Sequence, residues 1–355
     1  MILLRVFSFL LGLALVSVTL FSAVETFVLP RSAPDYIAKL VFKGVRSLFD
    51  LRLRLSHTYL ERDRVMALFA PISLLALLPV WLIIILAGYA GMFWAVGNTG
   101  WFESFQISGS SLFTLGITTS KGAFQMVLEL SEAVIGLIVI TLLIAYLPTM
   151  YSAFSRRESA VTLLEVRAGN PPSVTQMLSR YHRIHGLGAL GEQWRAWEVW
   201  FADIEESHTS LAALVFFRSP QPDHSWVIAA GTVLDSASLT LAALDIPHDP
   251  QADLCIRSGF LALRRIGDYF HIPYNPDPHY PEDPISITQA EFDAALDELA
   301  AKGLPLKPDR EQAWRDFAGW RVNYDYVLLS LARLTMAPLA PWTSDRTPAP
   351  REARP

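Results

Sequence analysis

Cysteine and charged residues are scarce in this 355-residue sequence. Cys255 is the only cysteine, which excludes an internal disulfide and a zinc site built from thiolates alone. Charged residues make up 18% of the chain, below the roughly 25% usual for soluble domains. Hydrophobic residues make up 52%, and the mean hydropathy is +0.31. This composition predicts a membrane protein.

A concentrated basic region is also missing. Residues 1–154 carry 10 Lys and Arg against 8 Asp and Glu, and residues 155–355 carry 19 against 26. Nucleic-acid binding requires a basic face, so no nucleic-acid partner is expected. At about 150 residues per domain, the length allows two folded units.

Three stretches reach the roughly 20 apolar residues that a helix needs to cross a bilayer. They lie within residues 1–30, 66–97 and 125–154. Eight Lys and Arg separate the first two stretches and two Arg follow the third, whereas Lys121 is the only basic residue between the second and third. The positive-inside rule then predicts a multi-pass protein of the plasma (inner) membrane, with its N-terminus outside and its C-terminal domain cytoplasmic.

The first stretch has two interpretations. Ser22-Ala23 is an acceptable cleavage site for a signal peptide. Cleavage would leave the following basic loop on the wrong side for the second span. A retained transmembrane helix is therefore favoured.

Residues 31–65 combine apolar residues at helical spacing with basic residues on another face. Such a pattern predicts an amphipathic helix on the inner leaflet, with its basic face toward anionic headgroups. The basic residues of that face are Lys39, Lys43, Arg46 and Arg54. The alternative is an amphipathic helix packed on the cytoplasmic domain.

Residues 101–113 form an apolar stretch that is too short to span a membrane, which predicts a re-entrant helix. Such backbone survives at membrane depth only when it is buried in protein or lines water. Thr114-Leu115-Gly116-Ile117-Thr118 follows directly. The order is therefore span, short helix, Thr-x-Gly and span.

This order resembles the pore module of the potassium-channel superfamily, over residues 66–158. In that family a Thr-x-Gly-(Tyr/Phe)-Gly filter offers backbone carbonyls in place of the ion's hydration shell. The resemblance implies a homotetramer around one pore and a permeating K⁺ or other monovalent cation, with no resident cofactor. It implies a filter formed by Thr114, Leu115, Gly116, Ile117 and Thr118.

The resemblance also suggests gating hinges at Gly136 and Pro148 in the third span. Both residues have ordinary explanations, because glycine is a common packing residue in membrane helices and proline is common near helix ends. The hinge roles stay hypotheses beside those explanations.

Thr118 stands where the family filter has its second glycine. Glycine reaches backbone conformations that a β-branched threonine avoids. The sequence therefore favours a cation pore over strict potassium selectivity. A non-conducting, membrane-anchored sensor or interaction protein with a pore-like fold is the competing hypothesis.

No enzyme activity is expected. The serines of the short helix lack a histidine partner in the membrane part, and His182 and His185 lack the further ligands of a metal site. The glycines between Gly186 and Gly191 match a dinucleotide-binding pattern but follow a polar, helix-like segment instead of a strand. They are interpreted as a turn between helices.

The fold class is thus an all-α membrane protein, with a potassium-channel-like pore module, an extra N-terminal transmembrane helix and a helical cytoplasmic domain. The Trp194, Trp197 and Trp200 stripe predicts core packing, and the acidic run from Asp203 to His208 predicts a solvated face. The predicted segments are a transmembrane helix in 1–30, a basic amphipathic segment in 31–65, a pore domain in 66–154 (span 66–97, pore helix and filter 101–119, span 125–154), a helical cytoplasmic domain in 155–340 and a disordered tail in 341–355.

Overall fold

The computed structural model describes residues 1–27, 29, 35–97 and 100–346. Those residues form α-helices and short 3₁₀ turns without a single β-strand, so the all-helical prediction is confirmed. By backbone contacts the chain divides into two compact units, Met1–Ser152 and Ala153–Pro355. The division lies close to the predicted boundary at residue 154.

Four helical stretches of the described chain are long and apolar enough to cross a membrane. Three belong to the predicted spans: α1 (Ile2–Phe27), the stretch Tyr59–Val96, and α6 (Ala123–Ala168). The fourth is α9 (Trp226–Ala243), of which 94% is buried inside the second unit. An apolar helix buried on all sides is the expected centre of a globular helical domain.

The first unit is built on a close crossing of α1 and α4 (Phe69–Val96). A Cβ atom on Gly12 would lie 2.3 Å from the Gly88 carbonyl oxygen, and one on Gly88 would lie 2.9 Å from the Gly12 carbonyl oxygen. Small residues allow such backbone approach between membrane helices. Ser8 adds a hydrogen bond of 3.0 Å from its hydroxyl to the Gly91 carbonyl. The glycines therefore fix α1 against α4.

A buried polar cluster ties the end of α1 to the next helix. The Asp35 carboxylate accepts hydrogen bonds from Ser22 (2.7 Å) and Thr26 (2.9 Å), and it also caps the N-terminus of α2 (Tyr36–Leu53). The Trp81 indole of α4 donates to the Ser22 hydroxyl at 2.9 Å. Three helices thus meet at one serine and one carboxylate.

The basic segment contains two helices where one was predicted. After α2, Thr58 and Glu61 form a reciprocal capping box that starts α3 (Tyr59–Ala67), and Leu68 separates α3 from α4. The cap satisfies backbone N–H groups at the new helix start. Residues between Leu53 and Thr58 therefore interrupt the predicted helix.

Helix α6 continues without interruption through Pro148 and past the division at Ser152. At 1.5 Å per residue its 46 residues reach about 69 Å, roughly twice the thickness of a bilayer's hydrocarbon core. Its second half therefore extends beyond what a single span requires.

The second unit packs its helices around α9. The stripe of Trp194, Trp197 and Trp200 is buried there, which confirms the core-packing prediction. The helices around α9 are α7 (Val174–Arg183), α8 (Leu190–Ser210), α10 (Pro250–Tyr269), α11 (Gln289–Ala301), α12 (Arg310–Arg321) and α13 (Asp325–Thr335).

The glycine-rich segment between α7 and α8 is a short 3₁₀ turn, Leu187–Ala189, and a helix precedes it. This geometry agrees with the interpretation as a turn between helices. The sequence pattern over 309–334 predicts one continuous helix, but the structure has two, α12 and α13. At the break, the Asn323 side chain bonds the Gly319 and Trp320 carbonyls, and Arg264 donates to the Asn323 carbonyl.

The predicted tail begins too early. Residues 341–346 pack on the second unit, where Thr343 is buried and Trp342 contacts the Phe317 ring at 5.7 Å. Arg346 donates to the Ser286 carbonyl at 2.9 Å and to Glu291 at 3.0 Å. Residues 347–355 of the predicted tail lie outside the described residues.

Candidate functional site

The short apolar segment forms α5 (Trp101–Leu112), which packs against α4. Gly100 precedes its first turn, and Ser104 donates back to the Gly100 carbonyl at 3.1 Å. Its buried side mixes serines with apolar residues, since Ser104 and Ser108 are fully buried beside Ile107 and Leu112. A helix of 12 residues is too short to cross a bilayer and here is held by longer helices, as a re-entrant helix requires.

One residue, Phe113, separates α5 from the predicted filter. Thr114 has a φ of +53° and Gly116 a φ of +66°, so both residues, with Leu115 between them, adopt the left-handed region. Glycine enters that region freely, while an L-residue such as threonine does so at a cost of about 1–2 kcal/mol. At Thr114 the positive φ belongs to the end of α5, where the Thr114 N–H bonds the Ser111 carbonyl and the Leu115 N–H bonds the Ser110 carbonyl, as in a Schellman C-cap.

Thr118, the last residue of the predicted filter, does not have a positive φ. Among the five predicted filter residues, Thr114 and Gly116 alone adopt the left-handed region.

Ser110 of α5 holds the loop through hydrogen bonds. The Ser110 hydroxyl accepts hydrogen bonds from the backbone N–H of Ile117 (3.0 Å) and of Thr118 (3.2 Å), and its carbonyl accepts from the Leu115 N–H at 2.8 Å. Because N–H groups of the loop bond to Ser110 of α5, the carbonyl groups of the loop are not used in this contact. In the single chain, Leu115 is 59% and Ile117 78% exposed.

Two acidic residues of α6 form hydrogen bonds with α5 and with the segment after the predicted filter, and the sequence pattern assigned them no role. Glu129 accepts a hydrogen bond of 2.6 Å from the backbone N–H of Ser120, just after the predicted filter. Glu132 is fully buried, with one oxygen 2.5 Å from the Ser108 hydroxyl of α5. The available signal was the presence of ionisable residues inside an apolar span, which by itself suggests a functional site.

The structure gives Gly136 a packing role. A Cβ atom there would lie 2.6 Å from the Leu112 carbonyl oxygen and 3.0 Å from a Leu112 methyl carbon. Leu112 is the last residue of α5. Gly136 therefore lets α6 approach the end of α5 directly before the predicted filter, and its hinge role stays a prediction, as does that of Pro148.

The predicted headgroup-binding residues lie on α2 and just after it. Phe42 and Phe49 pack on the Phe69 ring, and Arg46 lies over the same ring and bonds Asp50 at 3.0 Å. Within the described part of the chain, Lys39, Lys43 and Arg54 form no ion pair. Beside these basic residues, α2 and the turn after it expose an apolar stripe made of Leu40, Leu48, Leu51 and Leu55.

In the second unit, two acidic residues of the run from Asp203 to His208 form ion pairs. Asp203 pairs with Arg156 at 3.1 Å, and Glu205 pairs with Arg265. His208 is fully buried instead of solvated, which corrects the prediction for that residue. Its ring lies 3.2 Å from the Arg157 guanidinium. Burial and this positive charge hold the pKa of His208 well below its usual value of 6.5.

Arg157 itself is fully buried at the start of the second unit. It bonds Glu158 at 2.8 Å and the carbonyls of Leu214 (2.8 Å) and Phe217 (2.7 Å). Burial lowers the pKa of Arg157. These bonds give structural support, and among the described residues no group of His, Cys, Asp and Glu side chains could hold a metal ion.

Comparisons with protein-family models, with curated proteins and with solved structures give no match to this chain.

Proposed function

We propose that the chain is one subunit of a homotetrameric membrane channel for monovalent cations, with residues 114–118 as its filter. One observation carries this proposal. A short helix enters and stops within the first unit, and the loop after it is exposed with positive φ at Thr114 and Gly116. The resemblance to the potassium-channel superfamily supplies the same order of elements.

Cation binding follows from what the loop can offer. The Ser110 hydroxyl binds loop N–H groups, so the carbonyls of Thr114 through Ile117 and the Thr114 hydroxyl are left to coordinate a dehydrated cation. The C-terminal end of α5 reaches Leu112 and carries a partial negative charge, which also favours a cation there. Carbonyl oxygens suit K⁺, and a threonine where the family has its second glycine weakens discrimination against Na⁺.

The surface of the first unit supports placement in a bilayer. Helices α1, α4 and α6 expose long apolar side chains outward, and α2 pairs an apolar stripe with Lys39, Lys43 and Arg54. Such a helix lies in the interface and contacts anionic headgroups. In this proposal α1 is a retained span, because its glycine crossing with α4 makes it part of the fold. The basic side and the second unit then face the cytoplasm.

Flux of K⁺ and Na⁺ into liposomes that contain the purified full chain tests this proposal. The informative pair of variants is Gly116→Ala and Gly100→Ala, because an added Cβ meets no atom within 4 Å at either position. Only Gly116 has a positive φ, so only its variant strains the filter backbone. We expect Gly100→Ala to conduct like wild type and Gly116→Ala to lose flux or K⁺ preference.

Assembly is measured in parallel, because a closed gate also gives no flux. Native mass spectrometry of protein released from nanodiscs should show four copies for wild type and for both glycine variants. A monomer as the only species, together with absent flux, would contradict the proposal. Equal flux of K⁺ and Na⁺ that is still sensitive to Gly116→Ala would make the channel nonselective.

A non-conducting membrane-anchored sensor is the second candidate, and the non-glycine backbone at Thr118 favours it. A sensor would keep its oligomeric state and partner binding when Gly116 is changed to Asp. A conductor would lose flux with the same substitution. Comparing both readouts on one preparation separates the two.

A further inference from the structure

A buried contact between α5 and α6 joins an acid, a hydroxyl and a backbone carbonyl. The Ser108 hydroxyl oxygen lies 2.5 Å from Glu132 Oε1 and 3.0 Å from the carbonyl oxygen of Leu86 in α4. Ser108 and Glu132 are both fully buried. Three helices of the first unit therefore meet at a single hydroxyl group.

The number of hydrogens at this contact is limited. A serine hydroxyl has one hydrogen and two acceptor lone pairs, and a backbone carbonyl has none to give. If Glu132 were a carboxylate, one hydrogen would serve two acceptors, and one of the two oxygen pairs would lack a hydrogen. If the carboxyl carries a hydrogen, it donates to Ser108 and Ser108 donates to Leu86. Both distances are then ordinary hydrogen bonds.

The surroundings agree with this assignment. The second carboxyl oxygen of Glu132 is buried with no hydrogen-bond partner among the described residues. No basic side chain of the described chain forms an ion pair with it, and Lys121 is the only basic residue between residues 97 and 154. A buried carboxylate without a cation is strongly disfavoured, whereas a buried neutral acid is disfavoured far less. The nearby acid Glu129 is itself engaged with the Ser120 N–H.

We infer that Glu132 is a positioning residue that, as a neutral carboxylic acid, donates a hydrogen bond to Ser108 and so fixes α5 and the loop after it between α4 and α6. Its connection to the pore rests on the proposed function. The same helix face also carries Gly136, one turn on, against the end of α5. Glu132 and Gly136 thus set the depth and the approach of the short helix.

Infrared spectroscopy tests the protonation without reference to conduction. The full chain, with ¹³C-labelled glutamate and reconstituted in lipid at neutral pH, should show the C=O stretch of a protonated carboxyl group. That band should vanish in Glu132→Gln and persist in Glu129→Gln, the matched change one turn away. A band that is absent in wild type, or unchanged in Glu132→Gln, would overturn the inference even if the protein conducts.

The flux assay tests the positioning role. Glutamine keeps an N–H donor for Ser108, so Glu132→Gln should retain flux and ion preference, whereas Glu132→Ala should lose them. Equal losses in both variants would contradict a donor role. If wild type carries no flux and is only a monomer, the channel proposal fails, while the infrared result still decides the state of Glu132.

Discussion

Helices α6 and α9 are both long and apolar enough to cross a membrane, but their surroundings are opposite. In the most apolar window of α6, 28% of the residues are buried in the structure, while in α9 the figure is 94%. The two helices belong mainly to different units. Enough length and apolarity to cross a membrane is therefore found both in a helix with a largely exposed surface and in one that fills a protein core.

The polar interiors of the two units differ in the same way. The first unit buries hydroxyls, glycine backbones and acids whose partners are mostly serines, threonines and backbone groups. The second unit buries three arginines, Arg157, Arg264 and Arg321, and surrounds each with several acceptors. A buried charge in an apolar core needs such partners, because desolvation costs several kcal/mol per ion. Close backbone approach stabilises the first unit, and paired charge holds the interior of the second.

The most disruptive test of this contrast is Arg321→Met. Arg321 pairs with Asp235 and with Asp325, and removing the guanidinium leaves both carboxylates buried without their cation. We expect the second unit to lose about 3–5 kcal/mol of unfolding free energy. Chemical denaturation of the full chain, followed by tryptophan fluorescence, measures it.

The matched control for that variant is Arg315→Met on the same helix. Arg315 pairs with Glu311 at 3.0 Å, but both side chains are half exposed or more. Such a pair is worth at most about 0.5 kcal/mol. Similar losses at positions 315 and 321 would show that burial does not set the energy of these pairs.

The corresponding test in the first unit is Gly12→Ala. Its new Cβ would lie 2.3 Å from the Gly88 carbonyl oxygen, so α1 and α4 must separate. Overpacking of this kind costs about 1–3 kcal/mol. Thermal unfolding in nanodiscs should show a lower midpoint. Gly44→Ala in α2, where a Cβ meets nothing within 4 Å, should be neutral or slightly stabilising.

The sequence predicts features that depend on the length of a segment, but it does not predict contacts between residues that are far apart in the chain. The span–short helix–span order follows from segment length, because about 20 residues cross a bilayer and 12 do not. The pairing of Ser108 with Glu132 depends on how α5 and α6 are rotated, and no local pattern states that. Likewise, Arg321 and Asp235 are separated by 86 positions.

Two corrections show tertiary contacts overriding local preference. The helical pattern over 309–334 continues through Asn323, yet Arg264 and the Asn323 side chain together stop α12 there. The Pro- and Arg-rich composition after residue 340 is typical of disorder. Nevertheless, Arg346 reaches Glu291 and the Ser286 carbonyl and holds its segment in place.

The smallest effect expected here is on pH dependence, through His208 in the second unit. The native state keeps His208 neutral because burial and Arg157 lower its pKa, whereas in the unfolded chain it takes up a proton below about pH 6.5. Its contribution to stability is therefore fully present above that pH and is lost as pH falls toward the lower native pKa.

The slope of unfolding free energy against pH that comes from His208 reaches at most about 1.4 kcal/mol per pH unit. Denaturation of the full chain between about pH 7.5 and pH 5.5, roughly one unit either side of 6.5, should show a shallower decline for His208→Gln than for wild type. His248→Gln, at a site where the ring is mostly exposed, should keep the wild-type slope. Equal slopes for wild type and His208→Gln would mean that acid weakens the second unit through other groups. Protonated His208 would then be tolerated beside the buried Arg157.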